Sequence, residues 1–246
     1  MRIRQDQYLT QLTFLPRLFP VNCYLVEEDN GLTLVDAALP YSAAGILKAA
    51  QRMGKPITRI VLTHAHDDHV GALDKLKMAL PEAEISISAR DARLMAGDRS
   101  LDPGEDTAKI RGGVPASLKA RPDRLLQEGD LVGSLRVIAA PGHTPGSIAL
   151  LDTRSGALIV GDAFQVRGGM AVSGQLRPLF PFPAWGTWSP ATALRSAQKL
   201  RDLEPALLAA GHGAMRRSPV QAMDRAIEAA ARNLAVGAGE GAGRHA

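Results

Sequence analysis

The stretch Val61–Asp74 reads VLTHAHDDHVGALD and places three of the chain's six histidines within six residues, interleaved with two aspartates. Imidazole nitrogens and carboxylate oxygens at this spacing are the donors of a transition-metal site. Apart from His245 near the C-terminus, the histidines are His64, His66, His69, His143 and His212. A lone histidine after a strand is commonly a hydrogen-bonded surface group. Five in one kind of context, with aspartates at ligand spacing, point to a metal centre. The count closes on two ions. His64, His66 and His143 supply three nitrogens to one, while Asp68, His69 and His212 supply an oxygen and two nitrogens to the other. Asp162 bridges them. Each ion keeps room for water, which separates a catalytic site from a structural one. Two Zn²⁺ suit these donors, as do Fe or Mn. Of the paired acids, Asp68 is assigned as the ligand. Asp67 is assigned either to the cap of the helix that follows, where a carboxylate meets free N–H groups and the positive end of the dipole, or to a supporting place behind the ligands.

Four elements must deliver these groups, and each reads as a short strand. RIVLT leads to His64, RVIAAPG to His143, ALIVG to Asp162 and ALLAAG to His212. Gly142, Gly161, Gly211 and Gly213 stand beside the ligands and permit sharp turns and close backbone approach. Further strands are FPVNCYLVEE and GLTLVDAA, joined by the turn signal DNG, and AEISIS and SIALLD. Helical spacing marks YSAAGILKAAQRMG, HVGALDKLKMAL, ARDARLMAG, PATALRSAQKLRDL and SPVQAMDRAIEAAARNLA. Residues 98–123 and the segment after Asp162 read as irregular, and the first of these is placed to form one wall of a site. Strands and helices alternate without a break in composition. The expectation is therefore one α/β domain over residues 1–235, two sheets with helices outside, and a disordered Gly-rich tail over 236–246.

Composition sets the outer bounds. With 46% hydrophobic and 22% charged residues in 246, a sizeable core is expected. The formal charge of +4 comes without basic runs, so a nucleic-acid partner is not expected. One cysteine, Cys23, excludes an internal disulfide and reads as a buried structural thiol. No secretory signal and no run of about 20 apolar residues is visible. A cytoplasmic protein with no membrane partner is expected.

The motifs resemble those of a known family. THAHDDH is similar to the T-H-x-H-x-D-H signature of the metallo-β-lactamase superfamily, and PGHTPGS, VGDAF and AAGHG resemble its later motifs in the same order. NCYLV and LVDAA resemble its N-terminal strands, so the likeness runs from about Asn22 to Gly213. The resemblance implies a four-layer αβ/βα sandwich of two mixed sheets, with metals at one rim and hydrolysis by a hydroxide bridging the two ions. It also implies that Asp68 takes up the proton freed during attack and that Asp36 orients a ligand histidine.

Within the superfamily, Asp162 stands where true β-lactamases usually carry a cysteine or serine. That points to the glyoxalase II and lactonase side. The C-terminal extension of glyoxalase II, the tyrosine of acyl-homoserine lactonases, the extra histidine of tRNA-processing nucleases and the flavin domain of flavodiiron proteins have no counterpart here. What remains is the segment holding Phe164, Met170, Phe180, Phe182, Trp185 and Trp188, which carries half of the chain's aromatic residues. It is assigned to an apolar wall over the metals. An interface with a second copy, giving a homodimer, and simple packing beneath a loop are the alternative readings. A small, rather apolar ester, lactone or thioester is the expected substrate. Phosphodiester or phosphotriester cleavage, or β-lactam hydrolysis as a side activity, is the alternative, and a non-enzymatic metal-binding module is the reading of another class.

Overall fold

The computed structural model describes residues 1–115 and 118–242, with 237–242 described by backbone alone. The first sheet takes up β1 (Arg2–Asp6), β2 (Leu9–Phe14), β3 (Val21–Glu28), β4 (Gly31–Val35), β5 (Ile57–Val61), β6 (Glu84–Ser88) and β7 (Arg124–Leu126) in chain order. Its first four strands pair antiparallel and its last four run parallel. The DNG turn closes β3 onto β4 with Glu28 opposite Gly31, a two-residue hairpin loop. The parallel crossovers carry α1 (Ala43–Met53), α2 (Asp67–Val70), α3 (Leu73–Ala79) and α4 (Ala89–Met95).

The second sheet begins with β8 (Leu131–Val132), β9 (Leu135–Ala139), β10 (Ile148–Asp152) and β11 (Ala157–Gly161). A small hairpin of β12 (Phe164–Gln165) and β13 (Ala171–Val172) follows, then α5 (Phe182–Gly186) and α6 (Pro190–Arg201). The chain ends with β14 (Leu207–Ala210), β15 (Arg216–Arg217) and α7 (Val220–Ala242). The order across this sheet is β15-β14-β11-β10-β9-β8.

Period-2 alternation explains the layering. In β3, Val21, Cys23 and Leu25 pack towards α1 and α3, while Tyr24 and Val26 face the other sheet. In β11, Leu158 and Val160 meet α6 and α7, while Ala157 and Ile159 face inward. Strands buried on both faces therefore read as continuous apolar runs. Three cores result: helices on the first sheet, sheet on sheet, and helices on the second sheet. This is the four-layer αβ/βα sandwich expected from the motifs.

The end of the chain differs from expectation. Residues 236–242, assigned to a disordered tail, prolong α7 instead. Glycine weakens a helix by about 1 kcal/mol per residue without forbidding it. Positions 243–246, His245 among them, lie outside the described residues. Among the described residues no helix is long and apolar enough to cross a membrane.

Candidate metal centre

The four strands assigned to deliver ligands end at one rim of the sandwich. From β5 the chain passes into His64–His69, and β9, β11 and β14 lead to His143, Asp162 and His212. The first sheet supplies four candidate ligands and the second supplies three. Backbone approach at the rim is close: a Cβ on Gly211 would collide with Asp162 Oδ1.

Asp36, directly after β4, organises the first-sheet side. Its backbone holds a left-handed φ of 63°, uncommon outside glycine. Its Oδ1 accepts the Thr63 N–H at 2.8 Å, and its Oδ2 accepts the Thr63 hydroxyl and His69 Nδ1–H, each at 2.8 Å. The expected role of Asp36 in orienting a histidine matches this contact.

The outer hydrogen bonds fix every tautomer. His69 Nδ1 faces a carboxylate, and His212 Nδ1 faces the Pro20 carbonyl at 2.7 Å, so both must donate. His66 Nε2 donates to the Arg111 carbonyl at 3.0 Å. The Thr63 hydroxyl spends its proton on Asp36, so its oxygen accepts from His64 Nδ1 at 3.0 Å. The Thr187 hydroxyl donates to the Pro183 carbonyl and the Ser173 hydroxyl to Thr187, leaving Ser173 Oγ to accept from His143 Nδ1 at 2.9 Å. In the neutral form each of the five rings therefore turns a lone pair inward: Nε2 from His64, His69, His143 and His212, and Nδ1 from His66.

These inner atoms converge. The donor atoms of His64, His66 and His143 lie within 4.8 Å of one another, as do those of Asp68, His69 and His212, and those of His64, His69 and Asp162. Asp162 reaches both groups: Oδ2 is 3.5 Å from His143 Nε2 and 3.1 Å from His212 Nε2, and Oδ1 is 3.5 Å from His69 Nε2. Asp68 Oδ2 lies 3.4 Å from His212 Nε2. His64 Nε2, His69 Nε2 and Asp162 Oδ1 are buried without any hydrogen-bond partner. Orphaned acceptors gathered at one point are costly unless a cation satisfies them. The donor set therefore fits metal ions.

Electrostatics divide the centre. Burial holds His64, His66 and His143 below the ordinary imidazole range, so that half is neutral. Burial pulls His69 down as well, but Asp36, Asp162 and Asp68 outweigh it and the net shift is upward. His212 is raised against its burial by Asp162 and Asp68. Burial favours neutral Asp162, yet His212 and His69 prevail and hold its carboxyl well below the usual carboxylate range.

Over the donors lies a cavity of about 350 Å³. Phe19, Phe182, Pro183 and Trp185 form its apolar wall, and His66, Asp67, Asp68, His143, Asp162 and His212 form the polar side. Of the expected wall residues, Phe182 and Trp185 are in place. Phe180 stands behind them, 5.2 Å from Phe182 and 5.0 Å from the His212 ring between centroids. Phe164, Met170 and Trp188 do not line the cavity. Phe164 and Met170 are buried in the core between the second sheet and its helices. Trp188 is buried in the core on the helix side of the first sheet, where its indole N–H donates to the Ala108 carbonyl at 2.9 Å. An indole that finds a buried acceptor is held as packing.

Of the two places expected for Asp67, the helix cap is not the one it takes. His66 takes the N-cap position of α2, and no side chain caps it. Asp67 instead presents its carboxylate to the cavity, where burial and then Asp68 raise its pKa. The irregular stretch after α4 does wall the site. Arg99 donates to the carbonyls of Ile110 at 3.1 Å and Gly112 at 3.2 Å, and Gly113 O accepts the Asp67 N–H at 3.0 Å. Sequence reasoning missed Phe19. Its only signal is the Pro-flanked LPRLFP segment leading into β3, and Pro20 beside it accepts from His212.

The family model of the metallo-β-lactamase superfamily matches residues 16–212. YobT of Bacillus subtilis (strain 168) is 55% identical over 230 residues, covering 94% of this chain and 99% of that protein. Acyl-coenzyme A thioesterase MBLAC2 of Gallus gallus is 33% identical over 162 residues, 57% of this chain and 56% of the relative. Among solved structures, TTHA1623 in a di-iron-bound form superposes with a TM-score of 0.64 at 27% identity, over 86% of this chain and 96% of that one.

Proposed function

From the premise that the chain belongs to the metallo-β-lactamase superfamily and is a metal-dependent hydrolase, we propose that it holds two divalent cations, zinc by preference, and cleaves a small, rather apolar ester, lactone or thioester. The observation that carries this reading is the convergence of five imidazoles and two carboxylates, five of these seven groups lining an aromatic-walled cavity. His64, His66 and His143 would hold one ion, Asp68, His69 and His212 the other, and Asp162 both. When bound, such ions supply Lewis acidity and activate water at neutral pH. The di-iron form of TTHA1623 supports a two-ion centre and makes iron the alternative occupant.

The chain's own residues do the rest. Phe19, Phe182 and Trp185 take an apolar acyl group and exclude water from it. Asp68 is the half-buried member of the set, with 23% of its side chain exposed, so it can accept a proton and pass it to solvent. Among the described residues no lysine or arginine lines the cavity, so an anionic phosphodiester would find no side-chain cation there beyond the ions themselves. MBLAC2, named as a thioesterase, supports thioesters within the class.

The test is metal analysis of the purified chain beside a panel of lactones, thioesters, phosphodiesters and β-lactams. Expected are about two ions per chain and ester or thioester turnover that a chelator abolishes and Zn²⁺ restores. Turnover indifferent to chelation, or confined to phosphodiesters, would sink the reading.

A further inference from the structure

We propose that Asp91 is a positioning residue for the three-histidine half of the centre, a role that rests on the reading of that centre as a cation site. Asp91 lies on α4, behind the cavity, and is fully buried. It touches none of the seven candidate ligands through a hydrogen bond. Instead it ties together the two loops that carry three of them. Its Oδ2 accepts the Ala65 N–H at 2.9 Å, the amide between His64 and His66. The same oxygen accepts the Thr144 hydroxyl at 2.7 Å, beside His143, and Oδ1 accepts the Gly146 N–H at 2.8 Å.

The first of these loops leaves the first sheet and the other leaves the second. One carboxylate thus joins the loop that carries His64 and His66 to the loop that carries His143. Ser88, the N-cap of α4, reinforces the join: its hydroxyl donates to the Gly146 carbonyl at 2.6 Å and accepts the Asp91 N–H at 3.1 Å. The fit leaves no slack, because a Cβ on Gly146 would lie 2.6 Å from Asp91 Oδ1.

A buried carboxylate is an expensive way to join two loops. Replacing buried charges with well-packed apolar groups is often neutral or stabilising. Burial raises this carboxyl to about 6, which registers that cost. What the carboxylate supplies is geometry: it accepts from three donors at once and fixes the spacing of two loops whose rings must meet. The other half of the centre does not depend on it, since Asp36 holds His69 directly and Pro20 holds His212.

The test is titration of the metal-free chain with Zn²⁺ against a competing chelator, with Co²⁺ absorption as a second reading of ligand geometry. Asp91→Asn and Thr144→Val should each weaken one of the two ions by about 10–100-fold and leave the other unchanged, as outer partners of metal ligands do. Asp68→Ala should weaken the opposite ion, and its combination with Asp91→Asn should be additive. Both ions weakening equally, or neither weakening in a folded variant, would overturn the proposal. If Asp91→Asn does not fold, Thr144→Val, which removes one arm and keeps the carboxylate, decides alone. A wild-type chain that takes up no divalent cation would overturn the reading of the centre and this role with it, whereas two tight ions untouched by either variant would overturn this role only.

Discussion

His66 Nδ1 lies 2.9 Å from His143 Nε2, and both nitrogens turn lone pairs towards each other. Two acceptors at that distance repel unless positive charge stands beside them. Binding of a cation should therefore stabilise the fold. At a hundredfold excess over Kd the gain is about 2.7 kcal/mol per site. In a chain of this size each kcal/mol moves the melting temperature by about 2–4 °C. Differential scanning calorimetry with and without Zn²⁺ checks this, and an unchanged Tm would contradict a native cation site.

Asp162→Ala removes the carboxylate that reaches both ligand groups. Its loss should lower kcat/KM by more than the roughly 100-fold typical of outer partners. Metal content should fall in parallel. Near-normal rates at full metal loading would refute the bridging assignment.

Trp185 is 61% exposed at the cavity wall, so its replacement should cost binding rather than folding. Trp185→Ala should raise KM for bulky apolar substrates by about tenfold, roughly 1.4 kcal/mol, with kcat unchanged. Unaltered kinetics together with loss of a dimer in sizing experiments would assign the residue to a subunit interface instead.

Asp91 gives a pH signature that can be read without substrate. Burial raises its carboxyl from 3.8 to about 6, so between those values the folded chain binds more protons than the unfolded chain. Its contribution to stability is then fully present below about pH 4 and is lost as pH rises through about 6. Asp91→Asn cannot titrate. The stability gap between wild type and variant, measured by urea unfolding of metal-free protein, should shrink by about 2–3 kcal/mol from pH 4 to pH 7. A gap that stays flat or widens would refute the assignment.

The clustering of the candidate ligands was legible because their chemistry is rare and their placement is local. Three histidines in THAHDDH, and single ligands directly after the apolar runs of β9, β11 and β14, needed only strand ends to be located. The layering was legible as well, since runs such as VNCYLV are apolar on both faces. The cavity wall was not. Phe164 and Phe182 look alike in sequence, yet β12 turns one into the core and α5 holds the other at the mouth. Phe19 enters through the connection between β2 and β3, whose position depends on pairings across the whole first sheet. Asp91 is a single acid on a short helix, and its partners lie 26, 53 and 55 positions away. Nothing in its neighbourhood distinguishes it from a solvated surface residue.

The candidate ligands straddle the seam of the sandwich, His64 to His69 on one side and His143, Asp162 and His212 on the other. A cation seated there works as a rivet between two half-molecules. Neither half, made alone, owns a full coordination sphere. Metal uptake on mixing two complementary fragments would therefore report whether the halves recognise each other without the peptide link.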